Sequence, residues 1–178
     1  MQNSYVWDPI VRLFHWLLAG SFIANALFTD PDGTLHHNIG YFIAALVGCR
    51  LVWGLIGSRH ARFSSFPPSF KAAARQLEDI AVWRRGSHKG HSPLGALMIY
   101  NLLLSLLGIA LTGWMLTTEP FLHSAGTEAL HEILVHWAEA SVLLHVAAVL
   151  FETRRTKVRL ARAMITGYKN LPDSSAET

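Results

Sequence analysis

Two histidines in one apolar stretch, LHEILVHWAEASVLLHVAAVLF, stand fourteen residues apart at positions 131 and 145. At 100° per residue, fourteen steps of an α-helix come to about 1400°, roughly 40° short of four full circles, so His131 and His145 leave the same face. With a rise of about 1.5 Å per residue their heights differ by roughly 21 Å. Neutral imidazole is a good ligand for iron, and an iron held by two of them, one on each axial side, is suited to carrying single electrons. A helix built this way offers one axial ligand to each of two stacked haems. The rest of the chain must then supply partner histidines at both heights.

Four apolar blocks can position such partners: residues 10–28, 36–56, 93–116 and 130–151. Each has about the 20 residues needed to cross a hydrocarbon core roughly 30 Å thick. The third has no charged residue between Ser92 and Thr118. The fold class expected is therefore an all-α membrane protein, a single four-helix transmembrane bundle. The first block is too long and too weakly basic at its start to read as a cleaved signal peptide, so it counts as a retained span. The only cysteine, Cys49, lies inside the second block, which excludes an internal disulfide and a thiolate-held iron–sulfur cluster. No C-x-x-C-H occurs, so any haem is held without thioether bonds.

The net charge of +3 does not point to nucleic acid once the basic residues are placed. Lys and Arg gather between spans two and three, from Arg59 to Lys89, and after span four, from Arg154 to Lys169. The other two loops carry Asp30, Asp32, Glu119 and Glu128 and no Lys or Arg. By the positive-inside rule both termini are cytoplasmic, and the surplus charge touches anionic lipid.

Taken in order, Asp8-Pro9 starts the first helix, and His15 lies about two turns in, roughly 10 Å from its cytoplasmic end. Arg12 stands one turn nearer the cytoplasm, either snorkelling to headgroups or partnering a haem propionate. Span two opens with His36 and His37 at the height of His131, and one of them suffices as a ligand. Arg50, fourteen residues beyond His36, lies at about the depth of His15 and His145, where a haem propionate or a quinone oxygen would satisfy it. Residues 69–85 read as an amphipathic helix in the cytoplasmic interface, its apolar positions including Phe70, Ala73, Leu77 and Ile80. Gly108 and Gly113 in span three allow close approach of a neighbouring helix or a porphyrin. Glu132, His136 and Glu139 form a second stripe about 100° from the histidine face, either packing against another helix or forming a proton path for quinone chemistry. The tail, residues 170–178, reads as disordered. Zinc is the weaker metal for these histidines, because no carboxylate shares their face.

The segments DPIVRLFHW, HHNIGYFIAALVGCRLVWG, GHSPLGALM and LHEILVHWAEASVLLHVAAVLF together resemble the bacterial cytochrome b561 family, which includes the b-type cytochrome subunits of nickel–iron hydrogenases. The likeness covers about residues 5–165. It implies two haem b groups and electron exchange with quinone in the cytoplasmic membrane. Carried over, His15 and His145 hold the cytoplasmic haem and His36 and His131 the periplasmic one, His36 being four residues before Gly40 as the motif asks.

The function expected is a transmembrane electron carrier between quinone or quinol and a periplasmic partner, such as a c-type cytochrome or an oxidoreductase subunit. Superoxide oxidation with quinone as acceptor is an alternative. It is weakened by outer loops that offer only His37 and His123 as cations. A membrane-anchor cytochrome subunit of a periplasmic oxidoreductase such as hydrogenase is a third reading. A bundle without haem, structural or metal-transporting, is the bland one.

Overall fold

A computed structural model describes residues 2–83 and 91–171. Strand β1 (Gln2–Tyr5) is followed by helices α1 (Pro9–Phe28), α2 (Thr34–Ile56), α3 (Phe70–Ala81), α4 (Pro93–Met115), α5 (Ala125–Thr156) and α6 (Leu160–Thr166), and then by strand β2 (Tyr168–Leu171). Helices α1, α2, α4 and α5 are long and apolar enough to cross a membrane.

Local chemistry sets where each begins. Asp8 accepts from the backbone N–H of Ile10 and Val11 with Pro9 in the first turn, which starts α1. Ser92 and Pro93 do the same for α4, and Ser69 and Ser124 cap α3 and α5. At 32 residues α5 is about 48 Å long, so it overshoots a hydrocarbon core of roughly 30 Å. Its last turn is held by a two-pronged Arg155–Glu152 pair at 2.8 and 2.9 Å.

Among the described residues the spans pack in series, α1 on α2, α2 on α4 and α4 on α5. The buried centre is Ile43 and Val47 of α2 with Leu106 of α4, flanked by Leu18 and Phe22 of α1. Between α4 and α5, Asn101 donates to Ser141 and accepts from the Trp137 indole, each at 2.9 Å. Large apolar side chains such as Leu27, Leu55, Leu104 and Leu143 point outward. That surface suits lipid rather than water.

The chain ends meet. β1 and β2 pair antiparallel, Gln2 opposite Leu171 and Tyr5 opposite Tyr168. Gly167, at φ +85°, turns α6 into β2; a Cβ there would lie 2.8 Å from the Tyr5 ring. Asn170 and Leu171 thus belong to a strand, which corrects the expectation that the tail is disordered from residue 170 onward. The backbone ladder orders them, where side-chain composition alone gave no reason to. Residues 172–178 lie outside the described residues.

Helix α3 ends at Ala81, short of the expected residue 85; residues 84 and 85 also lie outside the described residues. It packs against α4, and the Gln76 side chain accepts from the Leu94 backbone N–H at 2.9 Å. Phe70 and Leu77 stay exposed on its other side.

Candidate functional site

The fold brings four of the predicted histidines together as two pairs. Toward the chain termini, His15 of α1 faces His145 of α5 with ring centres 6.5 Å apart. A metal–imidazole bond of roughly 2 Å, plus roughly 1 Å from ring nitrogen to ring centre, separates two opposed axial ligands by about 6 Å between centres. Two imidazoles at that distance would fit on either side of one metal ion. His15 Nδ1 is buried with no hydrogen-bond partner, and Trp16 packs edge-on against the ring at 5.1 Å.

At the other end a cavity of about 230 Å³ opens between α1, α2, α4 and α5, with His36, His37, Gly40, Gly113 and His131 in its wall. The two glycines of span three divide between the two roles anticipated for them. A Cβ at Gly108 would meet Leu134 of the neighbouring helix at 3.0 Å, whereas one at Gly113 would meet the His131 ring at 3.1 Å. At Gly40 a Cβ would meet nothing within 4 Å, so that wall is open to a flat group.

Two threonines that the sequence reading passed over fix these rings. Thr112 donates its single hydroxyl proton to the Gly108 carbonyl at 2.8 Å and lies 2.9 Å from His131 Nδ1. With that proton committed, the hydroxyl accepts from Nδ1–H, and Nε2 keeps its lone pair. Thr29 repeats the device, donating to the Asn25 carbonyl at 2.6 Å and standing 3.1 Å from His36 Nδ1. In both rings the nitrogen left bare is the one that would be free to bind a metal. The signal was faint because a threonine bonding back one helical turn is ordinary and its second partner belongs to another helix.

Thr112→Val keeps the shape and removes the hydroxyl. The expected outcome is a weakening of the cofactor's hold at His131 by about 10- to 100-fold, with His145 unaffected. Haem retention during dialysis, followed by absorbance, checks it.

The predicted arginines are engaged by the protein itself. Arg50 is buried, donates through Nη2 to the Ala61 carbonyl at 3.0 Å and lies 4.9 Å from the Phe63 ring centre, while its Nη1 is buried without a partner. Arg12 donates to the Ile165 carbonyl, and its Nε is likewise buried without a partner. Each thus ties a segment down and keeps one unsatisfied N–H.

Beside Arg50, the His91 ring packs 4.6 Å from Trp7 and 4.1 Å from Phe66. Burial, aided by the Arg50 cation, pushes its imidazole from the usual 6.5 down to about 3. Below about pH 6.5 the unfolded chain binds this proton before the folded one, so stability falls as pH drops from there toward 3, by up to about 1.4 kcal/mol per unit. His91→Phe should flatten that acid slope, as thermal melts at pH 7 and pH 5 would record.

The third predicted stripe is elsewhere. His136 Nδ1 lies 3.1 Å from a Glu139 carboxylate oxygen, and both, with Glu132, face the outside of α5 rather than either histidine pair. Among the described residues no three His, Cys, Asp or Glu side chains converge to hold a bare metal ion. Histidines in opposed twos fit a cofactor that brings its own equatorial ligands.

The comparisons agree with this chemistry. Residues 6–167 match the family described as Prokaryotic cytochrome b561. The chain belongs to that family. It is a membrane b-type cytochrome that takes part in electron transfer, with haem b as its prosthetic group. A probable Ni/Fe-hydrogenase B-type cytochrome subunit of Cupriavidus necator is 24% identical over 218 residues, covering 97% of this chain and 89% of that one. Relatives given the same description are 25% identical in Rhizobium leguminosarum, over 76% of this chain and 67% of the relative, and 24% identical in Azotobacter vinelandii, over 95% and 89%. No solved structure matches the chain.

Proposed function

We propose that this b-type cytochrome holds two haems, one between His15 and His145 and one between His36 and His131, and carries electrons across the cytoplasmic membrane between quinone or quinol and a periplasmic redox partner. The observation that carries the reading is the meeting of four histidines as two pairs along α5, one with ring centres 6.5 Å apart and one around a shared cavity. His36 is the better ligand than its neighbour His37, because Thr29 holds its Nδ1 and leaves Nε2 bare. Bound haem supplies one-electron redox chemistry. The chain's own residues hold the rings in one tautomer, keep the pocket apolar and offer the spare N–H groups of Arg12 and Arg50 to an acidic group such as a propionate.

The lysine- and arginine-bearing connections and the paired termini lie at the end of the bundle that holds His15 and His145, which supports a cytoplasmic location for that end. A second reading, a membrane cytochrome subunit of a periplasmic oxidoreductase such as hydrogenase, is favoured by the descriptions of the relatives. Mixing the oxidised, purified protein with a short-chain quinol tests the carrier. Rapid appearance of the reduced b-type spectrum is expected, and haems that stay oxidised would overturn quinone exchange. Isolation under mild detergent with a bound periplasmic oxidoreductase would decide for the subunit reading.

A further inference from the structure

His15 and His145 belong to the two spans at opposite ends of the packing series, since α1 packs on α2, α2 on α4 and α4 on α5. Their ring centres are nonetheless 6.5 Å apart. Contacts relayed through two intervening spans accumulate slack, and a direct link between the end spans removes it. Residues 157–167 supply one. Lys157, at φ +62°, turns the chain out of α5, and the Leu160 backbone N–H donates back to the Thr153 hydroxyl at 3.4 Å. The last carbonyls of a helix have no partner within it. In α6 they are met from α1, where Trp16 donates its indole N–H to the Met164 carbonyl at 3.3 Å and Arg12 a guanidinium N–H to the Ile165 carbonyl. Arg12 and Trp16 are four residues apart, so one face of α1 makes both bonds. Just beyond α6, the Gly167 carbonyl accepts from the backbone N–H groups of Val6 and Trp7 at 3.0 and 3.2 Å. Val158 and Ala163 are buried, so the segment is packed in place.

We propose that this segment is a strap that sets the separation of α1 from α5 and so positions His15 against His145. Trp16 is its joint. The indole N–H is held by α6 while the ring packs edge-on against the His15 ring at 5.1 Å. His15 has no other such support, because its Nδ1 is buried without a hydrogen-bond partner, whereas His131 and His36 each have a threonine hydroxyl at Nδ1. The strap therefore orients from outside a ring that no hydroxyl holds. Trp16 and Gly167 are positioning residues and not ligands. The consequence for a cofactor rests on the reading of His15 and His145 as a haem pair; the strap itself does not.

Two variants of the full chain test it. Trp16→Phe keeps an aromatic ring and removes the N–H. Gly167→Val puts a branched side chain at φ +85°, where a Cβ would lie 2.8 Å from the Tyr5 ring and 3.0 Å from the Trp7 carbonyl oxygen, and so opens the strap at its turn. Each should hasten haem loss from the His15–His145 site on dialysis by about 10-fold, the low end of what losing an outer support costs a metal site. The midpoint potential and electron paramagnetic resonance signal of that haem should shift, with the haem at His36 and His131 as the unmoved internal reference. A second readout needs no haem. In Cys49→Ala protein prepared without haem, spin labels at Leu13→Cys and Leu144→Cys, both 62% exposed, should give a distance distribution that Gly167→Val broadens. An unchanged distribution would overturn the strap. A broadened distribution with an unchanged signal from the His15–His145 haem would overturn its role in positioning His15, and so would an equal disturbance of both haems. If the distribution broadens but the unsubstituted protein holds no haem at this pair, the haem-pair reading falls and the strap stands.

Discussion

On the two-haem proposal, replacing His131 by alanine is expected to lower the haem content from two per chain to one. The ring that would be lost stands in the cavity wall with Nδ1 bound to Thr112 and Nε2 left bare, and nothing else on α5 lines that cavity except Val135, which has no ligand atom. With that ring gone, the far end would offer a haem only the His36 imidazole, one ligand in place of two. His145→Ala acts on the other pair and should also leave one haem, with the end nearer the termini empty and the far end filled. The two variants should therefore retain different haems, distinguishable by midpoint potential. A pyridine haemochrome assay against protein concentration counts them. Either variant keeping both haems would remove α5 from its place at the centre of the account.

The second large effect is steric. Gly113→Leu introduces a side chain where even a Cβ would stand 3.1 Å from the His131 ring, at the edge of a cavity of about 230 Å³. The leucine must either turn the ring or fill the space beside it. Loss of the haem at His131 with full retention at His145 is the expected outcome, again by haem count and potential. Gly108→Ala makes the contrast, because its Cβ would press on Leu134 between helices and not on the His131 ring. It should cost about 1–3 kcal/mol of stability through overpacking and leave both haems in place. Thermal melting and haem content together separate the two substitutions.

The histidine pairs were legible because a helix in lipid converts residue number into height with little freedom. Fourteen positions separate the two histidines on α5, and a span long enough to cross the membrane fixes where the residues 15 and 36 must fall. Breakers and caps such as Asp8-Pro9 and Ser92-Pro93 stand where α1 and α4 begin, whereas α5 runs from Ala125 to Thr156, beyond the apolar block 130–151 at both ends. Rotation about each helix axis was not legible. Spans that are apolar nearly all round give no moment to say which side faces the bundle. Periodicity therefore placed Glu132, His136 and Glu139 on one face without saying that the face is outward.

Contacts between elements far apart in sequence were hidden more deeply. β1 and β2 are four residues each, too short for an alternating pattern to rise above chance, and their pairing joins the two ends of the chain. Gln76 looks like a polar interruption of an amphipathic helix until α4 is seen to begin at its side chain. Thr29 and Thr112 show no distinguishing pattern, since their role depends on a hydroxyl proton already spent on the backbone. Arg50 stood out in the sequence as costly at its depth, but the sequence did not reveal that the Ala61 carbonyl and Phe63 ring already occupy part of it.

The most direct test is the low-temperature electron paramagnetic resonance of the oxidised, purified protein, taken with its haem-to-chain ratio. Two haem b per chain, both low-spin with bis-histidine signals, is the predicted result. One haem per chain, or a high-spin signal from a five-coordinate iron at either site in the unsubstituted protein, would contradict it.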